Sequence, residues 1–519
     1  MFKIKLQTII PYVVFILVTC LLILLSFERF FALMERMYDL GNMTQGVWGI
    51  IHKGIPVNVN EGIVGTRFIG HFEPILYLVS VVYFFYQSPM TLLVIQSTVV
   101  GIGGLFIFYI AKKRLNLYWA LGIQILYYSF PSVFGSNLLE FHPETLVLGI
   151  IPASFWYLRK KKYTLSLILA IAVMISKESL APLAAFYGLY IYFFSKKKEL
   201  GIFLFSLASV YFLVIFFVII PHFSPTDVSI FFEGVSKPPF AWLGNSPKEI
   251  FQSLINPVKI SEHIFNFDNL NYFLKLFGSF YFLPFLSVET FVALPVLLIN
   301  FFSEKSPMKN IYFHYNSGII PFMFFGFIGS LAAIFKRAHK IETKILVQIL
   351  VGVLLFFSFI GFIDQDLRIT SSYQNKLQKN HLTYLKKALT FISPDASVVT
   401  QNNLGPWVAN REFVYLIPYH YKQADYVLLD LDDPTAQEEY FSCQFCAQTS
   451  TIKEYFEIIF DLLNDSNYGL IFYDNKILLF KRNAANGKDL VKRAKIEITE
   501  IMKNTFNEFD NEYLTEKLQ

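Results

Sequence analysis

Charge and cysteine are what this chain has least of. Only 16% of its 519 residues are Asp, Glu, Lys or Arg, where a soluble protein carries about a quarter, so a water-facing surface along the whole chain is excluded. Three cysteines are too few for a disulfide framework. The chain contains no GxxxxGK(S/T), no GxGxxG and no HExxH, which argues against ATP-driven transport and zincin-type proteolysis within this subunit. The formal charge of +5 does not point to nucleic acid, because the basic residues sit in short clusters at the ends of apolar runs, where membrane topology explains them. There is no clear internal repeat.

Apolar residues fill the space that charge leaves. They make up 54% of the chain, with 58 Phe and 30 Tyr, and the mean hydropathy is +0.47. Apolar runs recur from residue 10 to residue 363, so most of the chain uses lipid as its solvent. Residues 10–27 form a first span, and the following Glu28-Arg29-Phe30-Phe31 lacks the small residues of a signal-peptide cleavage site. The helix is therefore expected to be retained, with the N-terminus inside the cell membrane. Residues 75–86 are apolar but short. Placing them at the interface puts Lys112-Lys113-Arg114, Arg159 to Lys162 and Lys196 to Lys198 on one side, as the positive-inside rule prefers. The expected fold is thus an α-helical polytopic membrane protein of about eleven transmembrane helices plus an interfacial helix. Outer loops fall at 28–74 and 221–268.

Residues 364–519 have ordinary charge density and no spanning run. Ala396 to Thr400 and Asp425 to Asp430 read as strands, residues 451–463 as a helix, and Tyr468–Tyr473 with Lys476–Lys481 as a hairpin. This predicts a C-terminal α/β domain with a charged tail, and the parity of crossings places it outside the cytoplasm. The transmembrane domain is accordingly 1–363 and the extracytoplasmic domain 364–519.

The candidate chemistry lies where outer loops meet the membrane. Asp39 follows the first span closely enough to stay at its outer face, and a carboxylate there can serve as a general base or bind a cation; the alternative is a solvated turn acid. Arg67 can pair with an anionic lipid or phosphate; His71 and Glu73, two apart before Pro74, are substrate-binding candidates that converge only in a bent backbone, or else anchor the loop at headgroup level. Glu140-Phe141-His142-Pro143-Glu144 gathers two carboxylates and an imidazole. Glu140 and His142 would hold a divalent metal ion only if Asp39 or His71 supplied a third ligand, and Glu144 can serve simply to start the next helix. Ser176-Lys177-Glu178-Ser179 interrupts two apolar runs. Lys177 and Glu178 are costly so close to lipid unless paired or functional; the readings are a phosphate-binding lysine or an ion-paired turn. Topology places Asp39, His71, Glu140, His142, Lys177 and Glu178 on one membrane face, where they can line one cavity. Cys443-Gln444-Phe445-Cys446 reads as a local disulfide or two unremarkable thiols.

The stretches YDLGNMTQGVW (38–48), GTRFIGHFEPILYL (65–78), NLLEFHPETL (137–146), SKESLAPL (176–183), AWLGNSPKEI (241–250), YFHYNSGIIPF (312–322), SVVTQNNLGPWVANREFVY (397–415) and ADYVLLDL (424–431) run through nearly the whole chain. In this order they resemble the membrane-protein family known as domain of unknown function 2079, which is similar to the GT-C superfamily of polyprenyl-phosphate-sugar-dependent glycosyltransferases. The resemblance implies a catalytic or metal-associated acid at Asp39, a juxtamembrane helix at 75–86, acceptor or metal contacts at Glu140 and His142, and donor-phosphate contact at Lys177. The first loop departs from that pattern: it has Tyr38-Asp39 but no paired acidic motif, which leaves metal dependence open. The implied activity is transfer of a sugar from a polyprenyl-phosphate donor to an acceptor hydroxyl on a glycan, lipid or protein at the outer face. A membrane transporter or lipid flippase, or a non-catalytic scaffold, are the alternatives.

Overall fold

The protein is seen in a computed structural model that describes residues 6–59, 65–223, 239–244, 247–338, 340–374, 379–432, 452–506, 512–513 and 515–516. Cys443 and Cys446, and Asp227 and Glu233 of the second outer loop, lie outside them. The chain divides into two compact units. The first comprises residues 1–27, 68–79 and 92–372; the second comprises 28–67, 80–91 and 373–519.

Among the described residues, five helices are long and apolar enough to cross a membrane: Ile9–Phe31, Pro89–Arg114, Lys198–Phe223, Ile320–Arg337 and Glu342–Ser371. The expectation of about eleven crossings is therefore corrected to five. The other apolar runs are hydrophobic enough, but their helices stop short of the roughly 20 residues that a bilayer requires. The run at 117–133 breaks because Pro131 forces Phe130 into an extended conformation, leaving a 12-residue helix, Leu117–Tyr128. The run at 143–158 opens with a 3-10 turn, Pro143–Leu146, before the 13-residue helix Val147–Arg159. Residues 163–194 become Tyr163–Met174 and Ala181–Phe194, of 12 and 14 residues. Residues 269–302 split into the helix Phe267–Phe277, three 3-10 turns and the helix Leu294–Phe302. The segment after Pro74 is a nine-residue helix, Ile75–Tyr83.

The first unit packs these pieces around aromatic side chains such as Phe130, Phe280 and Phe324, all fully buried. Two of its helices approach at glycines. A Cβ on Gly103 would lie 2.3 Å from the Leu148 carbonyl oxygen, and one on Gly149 would lie 2.0 Å from that of Val99. Only glycine allows such a backbone contact, as is common where helices meet in membranes.

The second unit holds two sheets. Strands β1 (Val57–Asn58) and β2 (Gly65–Thr66) form a short antiparallel pair. The larger sheet contains β3 (Val398–Thr400), β4 (Val414–Leu416), β5 (Tyr426–Asp430), β6 (Tyr468–Asp474) and β7 (Ile477–Arg482), in the order β4-β3-β5-β7-β6. β3 runs parallel to β4 and β5, while β7 is antiparallel to β5 and β6. Successive side chains of a strand point to opposite faces, and both faces here are covered. Val398, Leu428 and Leu479 face a cluster with Met37 and Leu385; Val399, Val427 and Phe480 face one with Phe456, Ile459 and Ile498, joined by Val57 and Val59. Burial on both faces explains why these strands read as unbroken apolar runs.

Candidate functional site

The site begins with two breaks in helical structure within the first unit. At the first, Glu140 adopts a left-handed backbone, φ +67°, a conformation unusual for a non-glycine residue. His142 is extended ahead of Pro143, as that proline requires. This irregular backbone needs partners away from water, and the fully buried Gln96 of the long Pro89–Arg114 helix supplies them. Its Nε2 donates to the carbonyls of Glu140 at 2.6 Å and Asn137 at 3.0 Å, and its Oε1 accepts from the His142 N–H at 2.9 Å. Asn137 Nδ2 in turn donates to Ser97 Oγ at 3.1 Å.

The second break is Ser176-Lys177, between the helix Tyr163–Met174 and the turn Glu178–Leu180, with Lys177 extended. It is tied to the segment before Ile75. The Ile175 carbonyl accepts from the Ile75 N–H at 3.1 Å. One oxygen of Glu178 lies 2.9 Å from His71 Nδ1, and the other accepts from the Phe72 N–H at 3.1 Å.

The two breaks join through charge. Lys177 Nζ donates to Glu144 Oε1. The same oxygen lies 3.3 Å from His314 Nε2, and the His314 ring stacks on His142 at a centroid distance of 3.6 Å. Lys177 also lies over the Tyr315 ring, 5.7 Å from its centroid. Glu144 Oε2 is buried and has no hydrogen-bond partner among the described residues. Burial opposes the charge of Glu144, but Lys177 and His142 outweigh it and hold the carboxyl below its usual range. Burial likewise opposes ionisation of Glu178, and His71 and Lys177 reverse the sign. Burial works against the Lys177 ammonium as well, yet Glu144, Glu178 and Glu73 raise its pKa. The ionised states sustain one another.

This cluster opens on a cavity of about 220 Å³, lined by His71, Glu144, Lys177, Glu178, Lys305 and His314 on its polar side and by residues such as Leu180, Phe240 and Val296 on its apolar side. That is room for about seven waters at liquid density, enough for a phosphate group and part of a sugar. Two lysines and two histidines face two carboxylates, so the lining suits an anion whenever a histidine is protonated.

Of the residues singled out by sequence, His71, Lys177 and Glu178 line the cavity, and Glu73 is buried near enough to Lys177 to act on its charge. His142 reaches the cluster through His314. Glu140 is buried, with its carbonyl held by Gln96. Asp39, in the π-helical turn Met37–Gly41, and Arg67, whose stem lies against Gly46, belong to the second unit. Sequence reasoning passed over the pairing role of Glu144 and missed His314 altogether. The available signal for His314 was an imidazole in the polar stretch that precedes a spanning helix. Among the described residues, no three His, Cys, Asp or Glu side chains are grouped so as to hold a metal ion, so Glu140 and His142 lack the third ligand that a divalent ion would need.

Comparison with known proteins adds the following. Residues 29–479 match the family described as predicted membrane protein (DUF2079). No curated protein matches the chain. Among solved structures, ArnT from Cupriavidus metallidurans bound to undecaprenyl phosphate is similar with a TM-score of 0.51 and 10% identity, over 91% of this chain and 98% of that one. The same protein in the apo state gives 0.48 and 10%, over the same shares. The Archaeoglobus fulgidus oligosaccharyltransferase, tethered to an acceptor peptide, gives 0.41 and 11%, over 84% of this chain and 71% of that one. At such identities the first of these is a likeness of fold.

Proposed function

The chain belongs to the DUF2079 family of predicted membrane proteins, and from that premise we propose that it transfers a sugar from a polyprenyl-phosphate donor to an acceptor hydroxyl at the extracytoplasmic face of the cell membrane. The observation that carries this reading is the buried Lys177 ammonium, held by Glu144 on the wall of a partly apolar cavity. A desolvated cation beside an apolar wall suits a phosphate with a hydrocarbon tail. ArnT, whose fold is similar, was solved with undecaprenyl phosphate, a lipid of the class that would carry the sugar in the proposed donor and depart as the leaving group.

In this reaction the acceptor oxygen forms a bond to the anomeric carbon as the bond from that carbon to the phosphate oxygen breaks. The electron pair leaves with the prenyl phosphate, and configuration inverts. Lys177 stabilises the charge developing on the departing phosphate, a contribution that grows in a site from which water is excluded. Lys305 adds positive charge along the lining, His71 offers a ring nitrogen there, and His142 and Glu140 orient the acceptor. The base that takes the acceptor proton is assigned by resemblance alone, to Asp39.

The test uses the purified full chain in liposomes, with polyprenyl phosphate as the probe and labelled sugar transfer as the second readout. Glu144→Gln should retain the lipid, and Glu144→Gln/Lys177→Met should lose at least about tenfold in affinity, the value of one charge-assisted contact. Asp39→Asn should bind the lipid and transfer nothing. Equal binding with and without Lys177 would overturn the donor site, and transfer by Asp39→Asn would overturn the base.

A further inference from the structure

The helices Tyr163–Met174 and Ala181–Phe194 carry the Lys177 turn between them. Their opposite ends carry Lys160 to Lys162 and Lys196 to Lys198, and there the cations of separate connections converge. Lys113 Nζ, from the end of the Pro89–Arg114 helix, donates to the Arg159 carbonyl at 3.4 Å. Arg114 and Arg159 both reach one oxygen of Glu289, at 2.8 and 3.1 Å, so a single carboxylate serves two guanidiniums. Arg159 Nε is buried without a hydrogen-bond partner among the described residues. Lys197 lies over the Tyr163 ring, 5.8 Å from its centroid, and Lys160 over Trp156 at 4.6 Å. The connection that carries Lys197 is thereby brought to the one that carries Lys160 to Lys162.

Helix dipoles and topology favour a cation at each of these helix ends. Neither requires that the clusters meet, and meeting costs repulsion among like charges. Apolar side chains flank the cations. Phe193 and Phe194 stand exposed just before Lys196, and Tyr118 just after Arg114. A ligand that satisfies both features carries negative charge at its head and hydrocarbon below it.

We propose that this convergence of Lys113, Arg114, Arg159, Lys160 and Lys197 is a binding site for the phosphodiester headgroup of an anionic phospholipid, whose acyl chains lie along the exposed aromatic side chains. Basic pockets between membrane helices bind such headgroups through charge and through arginine's fixed donors. The site lies at the far ends of the helices that flank the cavity and does not depend on the sugar-transfer reading.

The experiment is native mass spectrometry of the full chain released from nanodiscs containing phosphatidylglycerol and phosphatidylcholine in equal amounts. The wild type should retain phosphatidylglycerol selectively, and its retention should fall as ionic strength rises. Lys113→Gln/Lys160→Gln/Lys197→Gln leaves both arginines on Glu289. At about fivefold per lysine, its limiting loss is roughly a hundredfold, and at least a tenfold loss is expected. Lys488→Gln/Lys492→Gln/Lys495→Gln, on the helix Lys488–Thr505, should lose nothing. Equal retention by the first triple variant, equal loss in the second, salt-insensitive retention, or displacement of the lipid by soluble polyphosphate would each overturn the proposal.

Discussion

Lys177→Met is the perturbation from which the structure yields the clearest magnitude. The substitution keeps the length of the side chain and removes the ammonium, leaving Glu144 where only 5% of its side chain, and 12% of that of Lys177, reaches solvent. Exposed pairs contribute about 0–1 kcal/mol; at this burial, breaking the pair from one side should cost about 3–5 kcal/mol. Protonation of His314, 3.3 Å from the same oxygen, would recover part of that. Glu144→Gln leaves Lys177 beside Glu178 and should cost less, on the order of 1–3 kcal/mol. The double variant leaves neither charge stranded, so its cost should fall short of the sum by about 2–3 kcal/mol, as for residues in one network. Denaturant and thermal unfolding of the full chain in matched detergent would give the four corners of the cycle. The pH behaviour adds a check. The folded pKa of Glu144 lies below the reference value of 4.5, so its stabilising contribution is complete above that value and is lost as pH falls through the depressed one. Titration of Glu144 itself should therefore leave the coupling unchanged above about pH 6. A cycle that adds to within about 0.5 kcal/mol would refute the claim that these charges sustain each other.

Two further outcomes follow from other contacts. His381 Nε2 lies 2.8 Å from Asp430 in the second unit; burial lowers the pKa of His381, but the bond to Asp430 and its charge raise it above the ordinary 6.5. A raised folded pKa means that this contribution is fully present below pH 6.5 and is lost as pH rises through the folded value. Thermal stability should therefore decline with pH in that window for the wild type and not for His381→Asn, and parallel profiles would count against it. Gln96→Leu should cost about 2–4 kcal/mol, because it strands the carbonyls of Asn137 and Glu140 and the N–H of His142. Faster amide exchange at residues 138–142 would report it, and unchanged exchange would show that the break holds without the glutamine.

How far a feature could be read from sequence tracks how local its cause is. The apolar runs, the strands near 398, 426, 468 and 477, and the helix at 452 were legible because period and composition act over a few residues. The number of spans was not, because hydropathy measures whether a segment tolerates lipid, not whether its helix continues. Pro131, Pro143 and Pro284 were visible as residues, but whether a proline ends a helix depends on what receives the freed backbone groups. At Glu140 that receiver is Gln96, 44 residues away. Met37, Val57 and Val59 come from the first polar loop and complete clusters whose other members begin beyond residue 380; nothing near them in sequence announces it. Glu144 carries the point furthest. Beside Pro143 it reads as a residue that starts a helix, and it does sit in that first turn. A charge buried there would be prohibitive in isolation, so its burial implies a cation from elsewhere, and the two candidates within apolar surroundings were Lys177 and a histidine. The inference that pairs them needs the burial first. A carboxylate known to be buried among apolar residues therefore shows that a partner must exist, while the partner's identity, and with it the site, emerges only once the helices are packed.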